Sequence, residues 1–554
     1  MNKRIITAAI AAFFVVTALA AFIQPDTADG TDDVEYWTSE PMEKIGGYYE
    51  VSSPGHLVYI QENIGEGGIF VEDDKFKVVG DFDMSGKNFK TPIGTGTEPF
   101  VYEFDGNGKT VSGLTMDLMS NYAGLFGKVS SDADIHDLIL RDVSITTTGD
   151  FVGGVAGCAE DAFVKNCVVS GTISGKGYVG GIVGNTISAE LSGDRSTAAV
   201  TATDDMSGGV VGYAEGMTLI TGCHNEGDIT GTMSVGGVAG RAMGTSTVEK
   251  CHNTGKIKGS DYVAGVIGLA MNDSSLTDCY NTGGIEGDGY IGGVIGRNDK
   301  TSLVEDCHNT GRIAGTHHVG GIIGYNETEG SVKNCYNTGS IKGNSNVGGI
   351  IGQNFNTCSI RICYNTGSIE GTDPVGGIVG SNDKTGAVSL CYNTGTVKGD
   401  DRVGGIVGVN EMTGDIRNVY NRGSVTGTGG SVDPIVGSGN PTTHFYWLGD
   451  ESSTDGARTL EQMTGTGVFE ELEGFTADDW TLKGNTRSGD IETVYFPQLK
   501  ALAENDDSAA DSLESVKMEV SMPADKTMLY IGFGIIGIIA VLGLLYYFLI
   551  LKPF

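Results

Sequence analysis

Aliphatic residues fall on this chain at a beat of 28 residues. Ile220, Val248, Leu276, Val304, Val332, Ile360, Val388 and Ile416 form one series, and Ile229, Ile257, Ile285, Ile313, Ile341, Ile369, Val397 and Val425 form another. Between them runs Cys-Tyr-Asn-Thr-Gly or a close variant, starting at Cys223, Cys251, Cys279, Cys307, Cys335, Cys363 and Cys391; a further copy has Val419 for Cys. After each comes a short aliphatic stretch and then Val-Gly-Gly-Ile-Val-Gly or a relative of it. No insertion separates these starts, so the pattern predicts coils stacked with like residues above like.

One copy shows the elements. Residues 331–337 read as a first strand, Thr338-Gly339 as a turn, 340–342 as a second strand, 343–346 as another turn and 347–352 as a third strand. Short strands joined by glycine- and asparagine-rich turns predict an all-β, right-handed parallel β-helix of about 28 residues per coil. The aliphatic and Cys columns are three residues apart, so strict alternation would put them on opposite faces. A bulge or corner at the residue before Cys (Lys250, Asp278, Ile362, Leu390) would turn both inward. Glu249, Glu305, Lys333 and Arg361 are then solvent-facing, and the column Lys258, Glu286, Ala314, Lys342, Glu370, Lys398 sets opposite charges on neighbouring coils. Degraded copies upstream include Cys167 with Val179-Gly180-Gly181, Gly153-Gly154-Val155 and Gly124-Leu125-Phe126-Gly127. Together they predict about a dozen coils, on the order of 55–60 Å of stack.

Composition narrows the partners. The formal charge of −35 disfavours nucleic acid and anionic membrane surfaces. The 89 glycines show no Gly-X-Y period, which excludes collagen. Lys3 and Arg4 before an apolar run and Ala18-Leu19-Ala20 read as a signal peptide, 1–24, with an uncleaved anchor as the rival. Residues 528–551 are free of charge and long enough to span a bilayer as a helix, with Tyr530, Tyr546 and Tyr547 near its ends and Lys552 beyond. The layout expected is an N-terminal capping region at 34–110, repeats at 111–437, a C-terminal capping segment at 438–502, a flexible acidic stalk at 503–527 and the transmembrane helix at 528–551. The body would then stand outside the cell on a single-pass anchor.

The blocks Gly124-Leu125-Phe126-Gly127 and Gly-Gly-Ile-Val-Gly followed by Cys-Tyr-Asn-Thr-Gly resemble the GLUG-repeat proteins of bacterial and archaeal surfaces. Val78-Val79-Gly80-Asp81-Phe82-Asp83-Met84, Phe104-Asp105-Gly106-Asn107-Gly108, Leu460-Glu461-Gln462-Met463-Thr464-Gly465, Trp480 and Tyr495-Phe496-Pro497-Gln498-Leu499 resemble the segments that flank such repeats. The resemblance implies a secreted or anchored, adhesin-like surface protein. Some members carry the repeats beside a zinc peptidase with a His-Glu-x-x-His helix. None of His56, His136, His224, His252, His308, His317, His318 and His444 is followed by Glu, so that role does not carry over.

The repeating polar residues fall into columns of their own. Stacked cysteines at the ~4.8 Å coil spacing are too far apart for disulfides and lack converging partners for a metal, so they read as buried thiols. Cys158 with Cys167 is a possible pair. Asn225, Asn253, Asn281, Asn309, Asn337, Asn365, Asn393 and Asn421 read as an amide ladder at a turn. His224, His252, Tyr280, His308, Tyr336, Tyr364, Tyr392 and Tyr420 form an aromatic stripe. It is either ring stacking that supports the solenoid or an exposed platform for sugar rings or a protein surface. Asn272 and Asn326 match the N-glycosylation pattern, and Asp288, Asp373, Asp400 and Asp401 sit in glycine-rich turns of a kind that can hold calcium loosely, though without a full calcium-loop spacing.

The stripe is the expected ligand-binding face, with no catalytic set, metal or cofactor implied. The expected function is adhesion or binding of a glycan or protein ligand by a membrane-anchored, non-enzymatic surface protein. A polysaccharide-cleaving enzyme using Asp194, Arg195, Asp204 and Asp205 is the alternative from fold analogy. A purely structural envelope spacer is the other.

Overall fold

The computed structural model describes residues 35–500, apart from 301–302, 328, 413, 440, 442, 450–455, 460–461, 465–467, 469–471, 482–485 and 489–490, together with 515–519. The expected signal peptide and transmembrane helix lie outside the described residues. Among the described residues no helix is long and apolar enough to cross a membrane.

The repeats form a parallel β-solenoid. In the coil that begins at Ser331 the strands are Ser331–Lys333, Tyr336–Asn337, Ile341–Lys342, Ser345–Gly348 and Ile351–Asn354. Each pairs in parallel with its equivalent 28 residues on: Val332 with Ile360, Ile341 with Ile369, Val347 with Val375, Ile351 with Val379. The first three build the largest sheet, Ser345–Gly348 belongs to a ten-stranded sheet and Ile351–Asn354 to a twelve-stranded one.

The expected first strand breaks where both columns had to turn inward. Asn334 adopts φ 54°, as do its equivalents Lys250 (54°), Asp278 (54°), Asp306 (55°), Ile362 (58°) and Leu390 (52°). This left-handed corner lets Val332 and Cys335, three residues apart, both be fully buried. The expected third strand is corrected: residues 347–352 are two strands in different sheets. Ile350 and Ile351 are adjacent yet both buried, which no single alternating strand allows. The chain corners at Gly349, where a Cβ would lie 2.0 Å from the Gly377 carbonyl oxygen and 2.7 Å from the Asn365 side chain. Only glycine fits there, and the same clash meets a Cβ at Gly293, Gly321, Gly377 and Gly405, which accounts for the second glycine of the Val-Gly-Gly-Ile-Val-Gly blocks.

One apolar core runs through the stack, from Val51 to Val436. Its N-terminal end is aromatic, with Phe76, Phe100, Phe104 and Phe126 all fully buried. Against it packs the helix Pro54–Asn63, which the strand pattern did not announce. Pro54 fixes its first turn, the His56 N–H donates to the Ser53 Oγ at 3.4 Å, and Leu57 and Ile60 enter the core.

At the other end Met463, Leu472, Phe475, Trp480, Phe496 and Leu499 form a separate cluster with Leu390, Tyr392, Tyr420 and Tyr446. Part of the expected flexible stalk is also structured: Ser515–Glu519 pairs antiparallel with Ile491–Tyr495. Alternation of Val516 and Met518 with polar neighbours suits a strand.

Candidate functional site

The aromatic stripe lies on the outer side of the largest sheet, one residue past the thiols. Its rings stack in register: His224 on His252 at 4.8 Å, His252 on Tyr280 at 4.6 Å, Tyr280 on His308 at 4.8 Å and His308 on Tyr336 at 4.7 Å, all within 6° of parallel. Tyr336, Tyr364, Tyr392 and Tyr420 continue at 4.9–5.0 Å. The six rings from His224 to Tyr364 are half-buried, whereas Tyr392 and Tyr420 are buried. The expectation of an exposed stripe therefore fails at its C-terminal end. There Trp480 packs 6.3 Å from Tyr392 and 5.8 Å from Tyr420, and the Tyr420 hydroxyl donates to the Pro497 carbonyl at 2.8 Å. Because each ring face lies against the next ring, the open part of the stripe presents ring edges rather than flat faces. Burial pushes the His252 imidazole below its ordinary pKa, and neighbouring His224 adds to this.

Beneath the stripe the chemistry is structural, as the columns predict. Asn309 Nδ2 donates to Asn337 Oδ1 at 2.8 Å and to its own turn at the Gly311 carbonyl at 2.9 Å, and the pattern repeats from Asn225 to Asn421. The seven cysteines of the column, Cys223 to Cys391 at the 28-residue interval, are free and fully buried. Burial pushes the thiols of Cys251, Cys307, Cys335 and Cys363 well up. Cys158 and Cys167 are unpaired as well, so the possible disulfide between them is corrected: Cys158 lies in the twelve-stranded sheet and Cys167 heads the thiol column. Glu370 sits 3.5 Å from both Lys342 and Lys398, so charges do alternate on that column. Such exposed pairs specify register more than they stabilise.

Other candidates resolve into partners. Asp194 is fully buried and occupies a thiol-column position, its Oδ1 accepting from the Cys167 N–H at 2.7 Å. Arg195 is spent on Glu226 through two bonds of 2.8 and 2.7 Å. The carboxylate cluster that a polysaccharide-cleaving site would need is thus not assembled from Asp194, Arg195, Asp204 and Asp205. Asp373 holds Arg402 through two bonds of 2.7 Å, and Asp401 accepts from the Ser431 N–H at 3.0 Å. Asn326 is fully buried and cannot carry a glycan, whereas Asn272 is exposed.

Three features escaped the sequence reading. A second amide ladder links Asn298, Asn326, Asn354, Asn382 and Asn410 at 2.8–3.0 Å; its signal was the same beat two residues after the last glycine of each block. Arg297 lies over the rings of Tyr262, Tyr290 and Tyr325 at 5.9, 5.8 and 5.3 Å and bonds Glu327 at 2.9 Å. Asp105, His136 and Asp137 bring three ligand-type atoms together. Lys77 sits 2.6 Å from the Asp105 carboxylate, and His136 Nδ1 shares a bond of 2.9 Å with Asp137, so the group closes as an ion-pair lattice.

Comparison with known proteins agrees with this architecture. The GLUG motif matches residues 206–230, 231–258, 287–314, 315–342 and 343–370. Halomucin of Haloquadratum walsbyi is 33% identical over 147 residues, which are 24% of this chain and 2% of that protein. The chain therefore spans only a small part of the length of the relative it matches. A Bacteroides ovatus structure provisionally assigned as an immunoglobulin A1 protease aligns over 82% of this chain and 92% of that one at 14% identity. The TM-score of that alignment is 0.15. Five stretches of the 28-residue beat, with their Gly-Gly corners, match the GLUG motif, so this part of the chain is a solenoid of GLUG repeats.

Proposed function

We propose that this protein acts at the cell surface as a non-enzymatic binding solenoid, and that its ligand lies along the aromatic stripe from His224 to Tyr364. The observation that carries the reading is the recurrence of one half-buried aromatic chemistry on six successive coils. A ligand that repeats along its own length, such as an extended glycan or a strand-like protein segment, would meet the same group at every step of ~4.8 Å. Ring faces are engaged with one another, so recognition uses ring edges and hydrogen bonds rather than sugars laid flat on a ring. The GLUG motifs and the likeness to halomucin support the surface location.

The test is binding of the purified protein to arrayed glycans and to cell-surface extracts, beside a variant with His252→Thr, Tyr280→Thr and His308→Thr. Threonine keeps strand propensity while deleting three neighbouring rings. Binding by the parent, weakened at least about tenfold in a variant of unchanged circular dichroism, supports the stripe. Binding unaffected by the change moves the ligand elsewhere, and no binding by the parent favours the spacer reading. Cleavage of any polysaccharide would overturn the non-enzymatic assignment.

Anchoring by residues 528–551 is part of the same proposal. A chain truncated after residue 527 should appear in the medium while the full chain stays with the membrane fraction; retention of the truncated chain would remove the anchor.

A further inference from the structure

The thiol column is more than a row of small apolar groups. Cys223, Cys251, Cys279, Cys307, Cys335, Cys363 and Cys391 follow one another on successive coils, all free and fully buried. Cys363 and Cys391 are direct partners across the sheet, and the Cys251 N–H donates to the Cys279 sulfur at 3.4 Å. The rings one residue along repeat every 4.6–5.0 Å, so the sulfurs share the coil spacing of ~4.8 Å. Upstream the column runs into Asp194, whose Oδ2 lies 3.9 Å from the Cys223 sulfur. Downstream it stops at Val419, a residue with no donor.

That spacing exceeds the approach a disulfide needs in parallel strands. It is close to twice a metal–sulfur bond of about 2.3 Å. A straight row of sulfurs never converges four donors on one point, which disfavours tetrahedral zinc. It does place two donors on opposite sides of each gap, the arrangement a two-coordinate soft ion requires, and thiolate is the donor such ions select.

Charge fixes the valence. Each loading step breaks one S–H bond, forms sulfur–metal bonds and releases the proton to solvent, so a monovalent ion replaces a proton without changing the charge of the column. Ions in the gaps between the seven sulfurs, with one thiol keeping its proton, leave the core neutral, as burial demands. We propose that the column from Cys223 to Cys391 is a linear binding site for soft monovalent d10 ions of the copper(I) and silver(I) class, one ion per gap.

Silver(I) is the probe. Reduced full-length protein is loaded with silver(I) both after folding and during its synthesis, freed of loose ions by gel filtration, and weighed by native mass spectrometry. Retention of about six ions per chain is expected, with a thiolate-to-metal absorption band in the ultraviolet. Position then discriminates. Cys307→Val opens two gaps and should lower the count by about two, Cys391→Val opens one and should lower it by about one, and Cys158→Ala, off the column, should leave it unchanged. Valine is tolerated in the column at Val419, and circular dichroism verifies that each variant keeps its fold. Loss of all ions on gel filtration, a count insensitive to the position replaced, or uptake only with loss of the β-sheet signal would each overturn the proposal.

Discussion

At the scale of single residues, what matters is how many partners a buried polar group shares. Asn309 takes part in two ladder bonds and holds its own turn. Asn309→Ala should destabilise the central coils by about 2–3 kcal/mol, since it strands the amides above and below without partners. Hydrogen exchange of the coils around residue 309 measures this directly, with protection at the N-terminal aromatic core as the internal control. Asp194 behaves in the opposite sense. Burial, and then the neighbouring Cys223, raise its carboxyl pKa well above the ordinary range. The folded state therefore binds that proton more tightly than the unfolded chain, whose value is about 3.9. Its contribution to stability is fully present below that value and is lost as pH rises toward the folded pKa. Asp194→Asn should melt at a higher temperature than the parent at pH 7, and the gap should shrink toward pH 4. A gap that widens on acidification would show the carboxylate to be stabilised in its charged form. The thiol and first amide columns were legible because one residue type recurs at one interval. Asp194 was not, because it stands 27 residues after Cys167 and 29 before Cys223, off the strict beat.

At the scale of elements, the corners decide the fold. The left-handed residue before each Cys was readable as a conflict between spacing and alternation, and the structure resolves it with a corner. The split of the third strand was hidden because Val-Gly-Gly-Ile-Val-Gly reads as one aliphatic run, and a run does not show where it changes sheet. The variation before Cys likewise acquires a cause. Ile362 and Leu390 stand where other coils carry Lys250, Asp278 and Asp306, and they are the ones that meet the C-terminal segment. That segment is held by aromatic contacts, with Phe475 stacked on Trp480 at 4.5 Å, and by Arg361 to Asp479 at 3.4 Å. Trp480→Ala should cost about 3–5 kcal/mol of docking. Limited proteolysis should then cut within 463–499 while the coils upstream of Cys335 stay protected. Simultaneous digestion of the whole solenoid would mean that the segment is a cap the stack cannot stand without.

At the scale of the whole molecule, surface charge opposes the stack and the core sustains it. With a net charge of −35 the chain as a whole repels itself, and salt should screen that repulsion. The melting temperature is expected to rise between about 0.05 and 1 M sodium chloride, over which the screening length falls several-fold. A fall would show that the lattice of Lys75, Lys77 and Lys165 with Glu103, Asp105 and Asp134 outweighs the repulsion. The solenoid, its period and its inward columns were all in the sequence, because repetition turns a weak local preference into a strong collective one. The ligand was not, since repetition marks everything that stacks and does not distinguish a face kept for packing from one kept for contact.

The uniform joint between coils also makes the number of coils a free variable. Each one offers its upper neighbour the surface it accepts from below, while the helix-bearing start and the aromatic clasp at Tyr392 and Tyr420 are fixed to the ends. Excising residues 259–286 would bring Lys258 to Gly287 with every column still aligned. Reach can thus be lengthened or shortened in steps of ~4.8 Å by duplicating or losing whole units of DNA, with neither terminus needing to be redesigned.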